Sequence, residues 1–200
     1  AQRERAGERF EPTALQVDYY FSVLSDWAYF GGERLENLAR KYRARIKHLP
    51  MRLAEVYAGT GGIILQKRSK QRQDYQVVEL EARRDNLGIP ITIHPRHYPC
   101  DDTLAACAII AASRAGHDAG RLANLIHRAI WVEEQDISSA RTLQRLIAGM
   151  GLEPAAILEA ARDPRTARIL DRNTREAQSR GVFGSPFYFF GDEIFWGQDR

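Results

Sequence analysis

Strand-forming segments lie at the two ends of this sequence, and most of the residues between them follow helical patterns. Leu15 to Leu24 is a nearly continuous run of β-branched and aromatic residues, as expected for a short buried strand. From Trp27 onward the apolar residues recur at helical spacing, and Ala44 to Leu49 then predicts a second strand, which ends at Pro50. If the two strands are parallel, this β-turn-α-β unit forms a right-handed crossover.

An antiparallel hairpin is predicted at the other end of the chain. Phe187 to Phe190 is an aromatic run, and Glu193 to Trp196 is the returning strand. Gly191 and Asp192 between them are typical of a hairpin turn. The two ends therefore supply all the strands that the sequence predicts.

The middle of the sequence predicts helices. Ser69 to Asn86 is helical and highly charged, and Gly88 followed by Pro90 marks its end. The later helices are predicted at Asp102 to Ala115, Asp118 to Glu133 and Ser138 to Met150, with a short and a longer helix in Glu153 to Gly181 that are divided near Asp163-Pro164. Residues 51–69 follow no regular pattern, and residues 89–99 contain three prolines and are expected to be extended or looped. The whole order predicts an α/β, thioredoxin-like fold with an all-helical insertion at about residues 69–170.

Composition and charge argue against several other classes of protein. Apolar residues make up 44% and charged residues 28% of the chain, which is ordinary for a folded globular protein. The formal net charge is only +3, and the basic residues alternate with acidic ones, which argues against nucleic-acid binding. No apolar run is long enough to span a bilayer. Residues 1–14 are polar and rich in Arg and Glu, so they are expected to form a loose tail, neither a signal peptide nor a membrane anchor.

The two cysteines, Cys100 and Cys107, form no Cys-x-x-Cys motif and match no standard metal spacing. They are interpreted as reduced, mostly buried thiols. Such sparse cysteine usage suits a reducing compartment and predicts a cytoplasmic protein without a metal site.

The turn after the first strand carries the first candidate functional residue. Ser25 stands at the start of a helix, where free backbone N–H groups and the positive end of the helix dipole favour an anion such as a thiolate. Parallel strands also deliver their carboxyl ends to one sheet edge, where ligands usually bind. The same serine, or Asp26 beside it, is equally a common helix N-cap, and spacing alone favours that structural role.

Two further features lie beyond the helical block. Ser185 precedes Pro186 at the start of the aromatic strand, and a cis peptide there would expose the Ser185 backbone to an extended peptide ligand. A trans proline in a turn is the alternative. Gln198 and Asp199 follow the hairpin, and Asp199 either caps a helix or reaches towards a ligand amine.

These motifs resemble those of a known family. The segments VDYYFSVLSDWAYFG and GVFGSPFYFFGDEIFWGQDR are similar to segments of the 2-hydroxychromene-2-carboxylate isomerases. That family belongs with the kappa-class glutathione transferases to the DsbA-like branch of the thioredoxin superfamily. The resemblance runs from about Val17 to Arg200 and includes Leu87-Gly88-Ile89-Pro90 and Ala129-Ile130-Trp131.

The resemblance implies glutathione as the cofactor. It also implies isomerisation of a hydroxychromene carboxylate to the open benzylidenepyruvate, during bacterial breakdown of naphthalene-like aromatic compounds. Ser25 matches the serine beside the glutathione sulfur, and Ser185, before a cis Pro186, matches the residue whose backbone pairs with the tripeptide. The remaining matches are Gln198 and Asp199 near the γ-glutamyl end, and Lys67 or Gln66 as a polar contact from a variable loop.

The expected partner is a small aromatic or electrophilic substrate. Trp27, Tyr29 and Trp131 are candidates for an aromatic substrate pocket, although aromatic residues more commonly pack between helices. Relatives of this family are usually dimers, so a homodimer is expected.

Two features differ from the family, and two other functions remain open. Asp26 occupies a position that is frequently proline in relatives, and its charge is expected to oppose formation of a thiolate beside it. Relatives continue beyond the position of Arg200 into a final helix that covers the sheet. The alternatives are a kappa-like transferase that conjugates glutathione to electrophiles, and a thioredoxin-fold binding module without catalysis. A disulfide oxidoreductase is disfavoured because serine, not cysteine, stands at position 25.

Overall fold

The computed structural model describes residues 15–200, and the predicted tail at residues 1–14 lies outside them. One mixed sheet holds four strands in the order β2-β1-β3-β4 within this part of the chain. The strands are β1 (Gln16–Phe21), β2 (Arg45–Pro50), β3 (Phe187–Phe190) and β4 (Glu193–Trp196). β1 pairs with β2 in parallel and with β3 in antiparallel fashion, and β3 and β4 form the predicted hairpin.

The strands at both ends of the sequence agree with the predicted ones to within a few residues. β1 is shorter than predicted, because the chain turns at Ser22 to Ser25 before the helix begins. The β1–β2 connection is α1 (Asp26–Tyr42), which ends at Arg43 in a left-handed conformation with φ of 54°. The Arg43 N–H donates to the carbonyls of Ala39 and Arg40 in the last turn of α1, and β2 begins two residues later.

The segment after β2 differs from the prediction of irregular structure. It forms the short helix α2 (Leu53–Thr60), whose Val56 is fully buried, and a 3₁₀ turn at Leu65–Lys67. The helix ends at Gly61, which has a φ of 74° that favours glycine. A cluster of glycines and only two helical turns hid this element, since both features are typical of loops.

The helices of the middle section occur where helical periodicity predicts them. Their bounds are α3 (Lys70–Leu87), α4 (Thr103–Arg114), α5 (Ala119–Trp131), α6 (Ala140–Gly149), α7 (Pro154–Arg162) and α8 (Pro164–Ser179). Ser69 caps α3, which ends at Gly88, and Asp163 separates α7 from α8, as expected from the sequence. Helix α4 is the centre of this section because it packs against α5, α7, α8 and β2.

The sheet separates two apolar clusters. Tyr19 and Phe21 of β1 face the larger cluster, which includes α1 and the helices from α4 onward. Tyr20 faces the opposite side, where α2 and α8 cover the sheet. This alternation follows from the two-residue period of a strand, and it places the carboxyl end of β1 between both layers. No helix within residues 15–200 is long and apolar enough to cross a membrane.

Candidate active site

The turn between β1 and α1 holds Ser25 at the carboxyl edge of the sheet. The Ser25 N–H donates to the Ser22 carbonyl at 3.1 Å, and its hydroxyl oxygen accepts the Ala28 N–H at 3.1 Å. Ser25 is therefore an N-cap, as spacing predicted. The Ser25 hydroxyl also donates to the Ser185 carbonyl at 3.3 Å. This second bond is long, so the hydroxyl can exchange it for a stronger acceptor.

The loop before β3 lies directly against this turn. The Ser185–Pro186 peptide is cis, which is one of the two geometries that the sequence left open. The Ser185 hydroxyl oxygen accepts the Ser22 N–H at 2.9 Å. Two hydrogen bonds thus join segments that are about 160 residues apart in the chain.

A buried histidine supports the same turn from the helical layer. The His127 Nε2 lies 3.3 Å from the Ser22 carbonyl, and burial lowers the pKa of His127 to about 4. The ring is therefore neutral near pH 7, and Nε2 must carry the hydrogen to donate to this carbonyl. The Ser22 carbonyl accepts from both His127 and Ser25, which fixes the turn that presents the Ser25 hydroxyl.

Two adjoining cavities open at this edge of the sheet. The larger cavity has a volume of about 610 Å³ and extends from Ser185 to the segment after β4. The smaller cavity has a volume of about 230 Å³ and holds Ser25 and Asp26 in its wall. Both are lined by Trp27, Tyr57, Arg68, Gln76 and Ser185.

The structure brings most of the predicted cofactor-binding residues to these cavities. Ser185, Gln198 and Asp199 line the larger cavity. The Gln198 side chain is buried close to Gly31 of α1, and the Gln198 backbone carbonyl accepts a hydrogen bond from Arg34 Nη1 at 3.2 Å. Of the two alternatives in the variable loop, Gln66 lines the smaller cavity, whereas Lys67 lines neither.

The three predicted pocket aromatics have different positions. Trp27 lines both cavities. Tyr29 lines neither, because its hydroxyl donates to the Pro90 carbonyl and its ring packs on Phe30. Trp131 is 1% exposed in the larger apolar cluster, so the assignment of Trp131 and Tyr29 to the pocket wall is corrected to a packing role.

The lining residues that were not singled out from the sequence include Tyr57, Arg68, Gln76 and Tyr98. Tyr98 packs on Trp131, with ring centroids 4.8 Å apart, so the buried tryptophan supports the wall from behind. The signal for the others was weak, because residues 51–69 read as an ordinary loop and Gln76 lies within a charged helix. Only the packing of α2 and α3 against the β1–α1 turn brings them together.

The Asp26 carboxylate is buried in the wall of the smaller cavity. Its Oδ1 accepts the Trp27 N–H at 2.8 Å, and its Oδ2 accepts Gln76 Nε2–H at 2.7 Å. Arg68 Nη1 in turn donates to Gln76 Oε1 at 3.0 Å. Burial raises the pKa of Asp26 to about 6, and the hydrogen bonds from Gln76 and Trp27 and the charge of Arg68 oppose that rise.

Comparisons with known proteins agree with this fold. A family model described as a DSBA-like thioredoxin domain matches residues 16–200, which confirms the thioredoxin-like class of the fold. The chain is 30% identical over 187 residues to a 2-hydroxychromene-2-carboxylate isomerase of Pseudomonas putida, covering 92% of this chain and 89% of the relative. It is 28% identical over 185 residues to the enzyme of the same name from Sphingobium xenophagum, covering 92% and 93%.

Comparisons with solved structures agree with this fold and with the isomerase relatives. A structure of 2-hydroxychromene-2-carboxylate isomerase superposes with a TM-score of 0.81 at 27% identity, covering 93% of this chain and 90% of that one. The cytosolic disulfide reductase DsbM of Pseudomonas aeruginosa, at 17% identity and a TM-score of 0.68, covers 91% and 89% and shares the fold. The chain belongs to the 2-hydroxychromene-2-carboxylate isomerase family, and it is therefore an enzyme of the isomerase class.

Proposed function

We propose that this chain is a glutathione-dependent isomerase that converts a hydroxychromene carboxylate to the open benzylidenepyruvate. The observation that carries the proposal is the Ser25 hydroxyl, which lies at the N-terminus of α1 in the wall of the smaller cavity and donates to the Ser185 carbonyl. The names of the relatives support the isomerase reaction and the substrate class.

The residues of the larger cavity fit glutathione. Its volume of about 610 Å³ is within the range of small-ligand sites. Glutathione carries two carboxylates and one ammonium group, and the wall offers guanidinium groups for the first and carboxylates for the second. The guanidinium groups are those of Arg68, Arg72, Arg83 and Arg200, and the carboxylates those of Glu79 and Asp199. Ser185 and Gln198 supply further polar contacts.

Glutathione bound here would supply a thiolate that adds to an unsaturated carbon of the substrate, permits rotation about the former double bond and then leaves. Ser25, which donates to the Ser185 carbonyl in this structure, would donate its hydroxyl hydrogen to the sulfur instead and so favour the anionic form. The free N–H groups of the first turn of α1 act in the same direction. Trp27 lines both cavities and offers its ring to an aromatic substrate.

Titration of the protein with glutathione tests the cofactor. We expect one glutathione per chain, and we expect Asp199→Asn to weaken binding roughly tenfold, since a hydrogen bond to a charged group contributes about 1.5 kcal/mol or more. Asp192→Asn, in the exposed β3–β4 turn, removes the same charge outside the cavity and should bind like the wild type.

An assay that follows both product and glutathione during turnover distinguishes an isomerase from a transferase. An isomerase leaves the glutathione concentration unchanged during turnover, whereas a transferase consumes one glutathione per product. Absence of glutathione binding by the wild-type chain would contradict the proposal and favour a binding module. The cytoplasmic location and the homodimer remain predictions from the sequence.

A further inference from the structure

The Asp26 carboxylate retains capacity for another hydrogen bond. Each of its oxygens accepts one of the two N–H groups that hold it, from Trp27 and from Gln76. A carboxylate oxygen can accept two hydrogen bonds, so a hydroxyl group in the smaller cavity could bond to either oxygen. Asp26 is 6% exposed, and this remaining surface lies in the cavity wall beside Ser25.

The other titratable groups that face Asp26 cannot exchange a proton near neutral pH. They are Arg68 before α3, Tyr57 of α2 and Tyr98 of the loop before α4. An arginine stays charged, burial raises the pKa of Tyr98 to about 12, and burial also raises the pKa of Tyr57. Among the described residues lining the smaller cavity, Asp26 alone has a pKa close to neutral pH, at about 6.

The proposed substrate requires a proton carrier. A 2-hydroxychromene has a hydroxyl group and the ring oxygen on the same carbon. To open the ring, the hydroxyl must lose its proton as the carbonyl double bond forms. The bond from that carbon to the ring oxygen breaks with its electron pair remaining on the oxygen, which then needs a proton. One group placed near both oxygens can move the proton between them, and general acid–base catalysis of this kind typically contributes 10²- to 10⁴-fold.

We propose that Asp26 is the catalytic residue of ring opening, taking the proton from the substrate hydroxyl and returning it to the ring oxygen. This step rests on the proposed function. The proton that enters the carboxylate leaves it again, so the step needs no further reactant. Gln76 and Arg68 are positioning residues, since Gln76 holds one carboxylate oxygen and Arg68 holds Gln76.

The pH dependence of kcat/KM tests this role. The wild-type rate should fall below about pH 6, where Asp26 becomes protonated and can no longer accept a proton. Asp26→Asn should lower kcat about 100-fold and remove the part of this acidic limb that Asp26 causes, so that only the limb of the glutathione thiol remains. Gln76→Leu removes a hydrogen bond that stabilises the charged carboxylate, so it should move the limb to higher pH. Asp192→Asn should leave both rate and limb unchanged.

A second readout follows the carboxyl group without turnover. Carbon NMR of the aspartate side chains in the free protein should show two carboxyls that titrate near pH 6, because burial raises the pKa of both Asp26 and Asp102 to about 6. One of the two signals should be absent in Asp26→Asn and should titrate higher in Gln76→Leu, while the other stays unchanged in both variants. Full activity in Asp26→Asn, or an acidic limb in that variant identical to the wild-type limb, would overturn the role of Asp26, and so would an unmoved limb in Gln76→Leu. In either case, glutathione binding and isomerisation by the wild type would leave the proposed function intact. A wild-type chain that does neither would overturn both.

Discussion

Replacing Ser25 with alanine is expected to lower kcat/KM for isomerisation roughly 10- to 100-fold, because the variant loses the hydroxyl that we propose donates to the glutathione sulfur. A hydrogen bond to a charged group contributes about 1.5–3 kcal/mol, and each 1.4 kcal/mol is a tenfold change. Within residues 15–200, the Ser25 hydroxyl donates to no acceptor other than the Ser185 carbonyl, at 3.3 Å. Steady-state kinetics at saturating glutathione measure the effect.

The same substitution also removes a helix cap, so its effect on stability must be separated from its effect on catalysis. Ser25 accepts the Ala28 N–H, and loss of such a cap typically costs about 1 kcal/mol of stability. Asp118→Ala is the control, since Asp118 caps α5 by accepting the Arg121 N–H at 2.8 Å and lines neither cavity. We expect both variants to lose similar stability and only Ser25→Ala to lose activity. Equal activities would mean that Ser25 is a cap alone.

Replacing Asp26 with asparagine is expected to stabilise the protein near pH 7 while it impairs turnover. Burial raises the pKa of Asp26 from 3.8 to about 6, so the folded state binds this proton more tightly than the unfolded state. The stability linked to the proton is fully present below about pH 4 and is lost as the pH rises through about 6. Since a shift of one pKa unit corresponds to about 1.36 kcal/mol, ionisation of Asp26 lowers the stability of the folded protein by on the order of 2–3 kcal/mol above about pH 6.

The gain in the variant is smaller than this cost. Trp27 and Gln76 donate to different oxygens of Asp26, and asparagine has an NH2 group in place of one of them. One of the two donors therefore loses its acceptor, and the lost hydrogen bond offsets about 1 kcal/mol. We expect Asp26→Asn to be more stable by on the order of 1–2 kcal/mol at pH 7 and less stable by about 1 kcal/mol near pH 4, where the wild-type carboxyl is protonated in the folded state. Urea unfolding at several pH values measures it, with Asp192→Asn as the control. A difference that does not change with pH would contradict a raised pKa at Asp26.

Much of the fold followed from the sequence because its signals are local. The aromatic run at Phe187 to Phe190 and the turn after it define a hairpin without reference to the rest of the chain. Helix α3 was equally evident, since Ser69 and Gly88 mark its two ends. Helix α2 was missed because its stability comes from burial of Val56 against the layer of α8, which no local pattern records.

The candidate site was predicted only in part, for a related reason. Ser25, Ser185 and Asp199 lie in motifs that the family resemblance supplied, and all three line a cavity. Gln76 and Arg68 act through their contacts with Asp26 and with each other, and these contacts depend on how α3 packs on the β1–α1 turn.

The meaning of Asp26 changed most between sequence and structure. In the sequence it stands at the first turn of a helix, where acidic residues are usually solvated caps and where its charge was expected to oppose a thiolate. In the structure the Asp26 carboxylate is buried and accepts a hydrogen bond from Gln76, and burial raises its pKa to about 6. Its negative charge is therefore present on most molecules at pH 7, and any thiolate at Ser25 must form in spite of it.

The pKa of the thiol of bound glutathione is the most direct test of the central claim. It can be followed by the ultraviolet absorbance of the thiolate as the pH of the wild-type complex is raised. We expect the bound thiol to titrate below about pH 7, well under the value of about 8.5 for a free thiol, and to move back towards that value in Ser25→Ala. A bound thiol that titrates at the free value or above it in the wild-type complex would contradict the claim that Ser25 holds a thiolate.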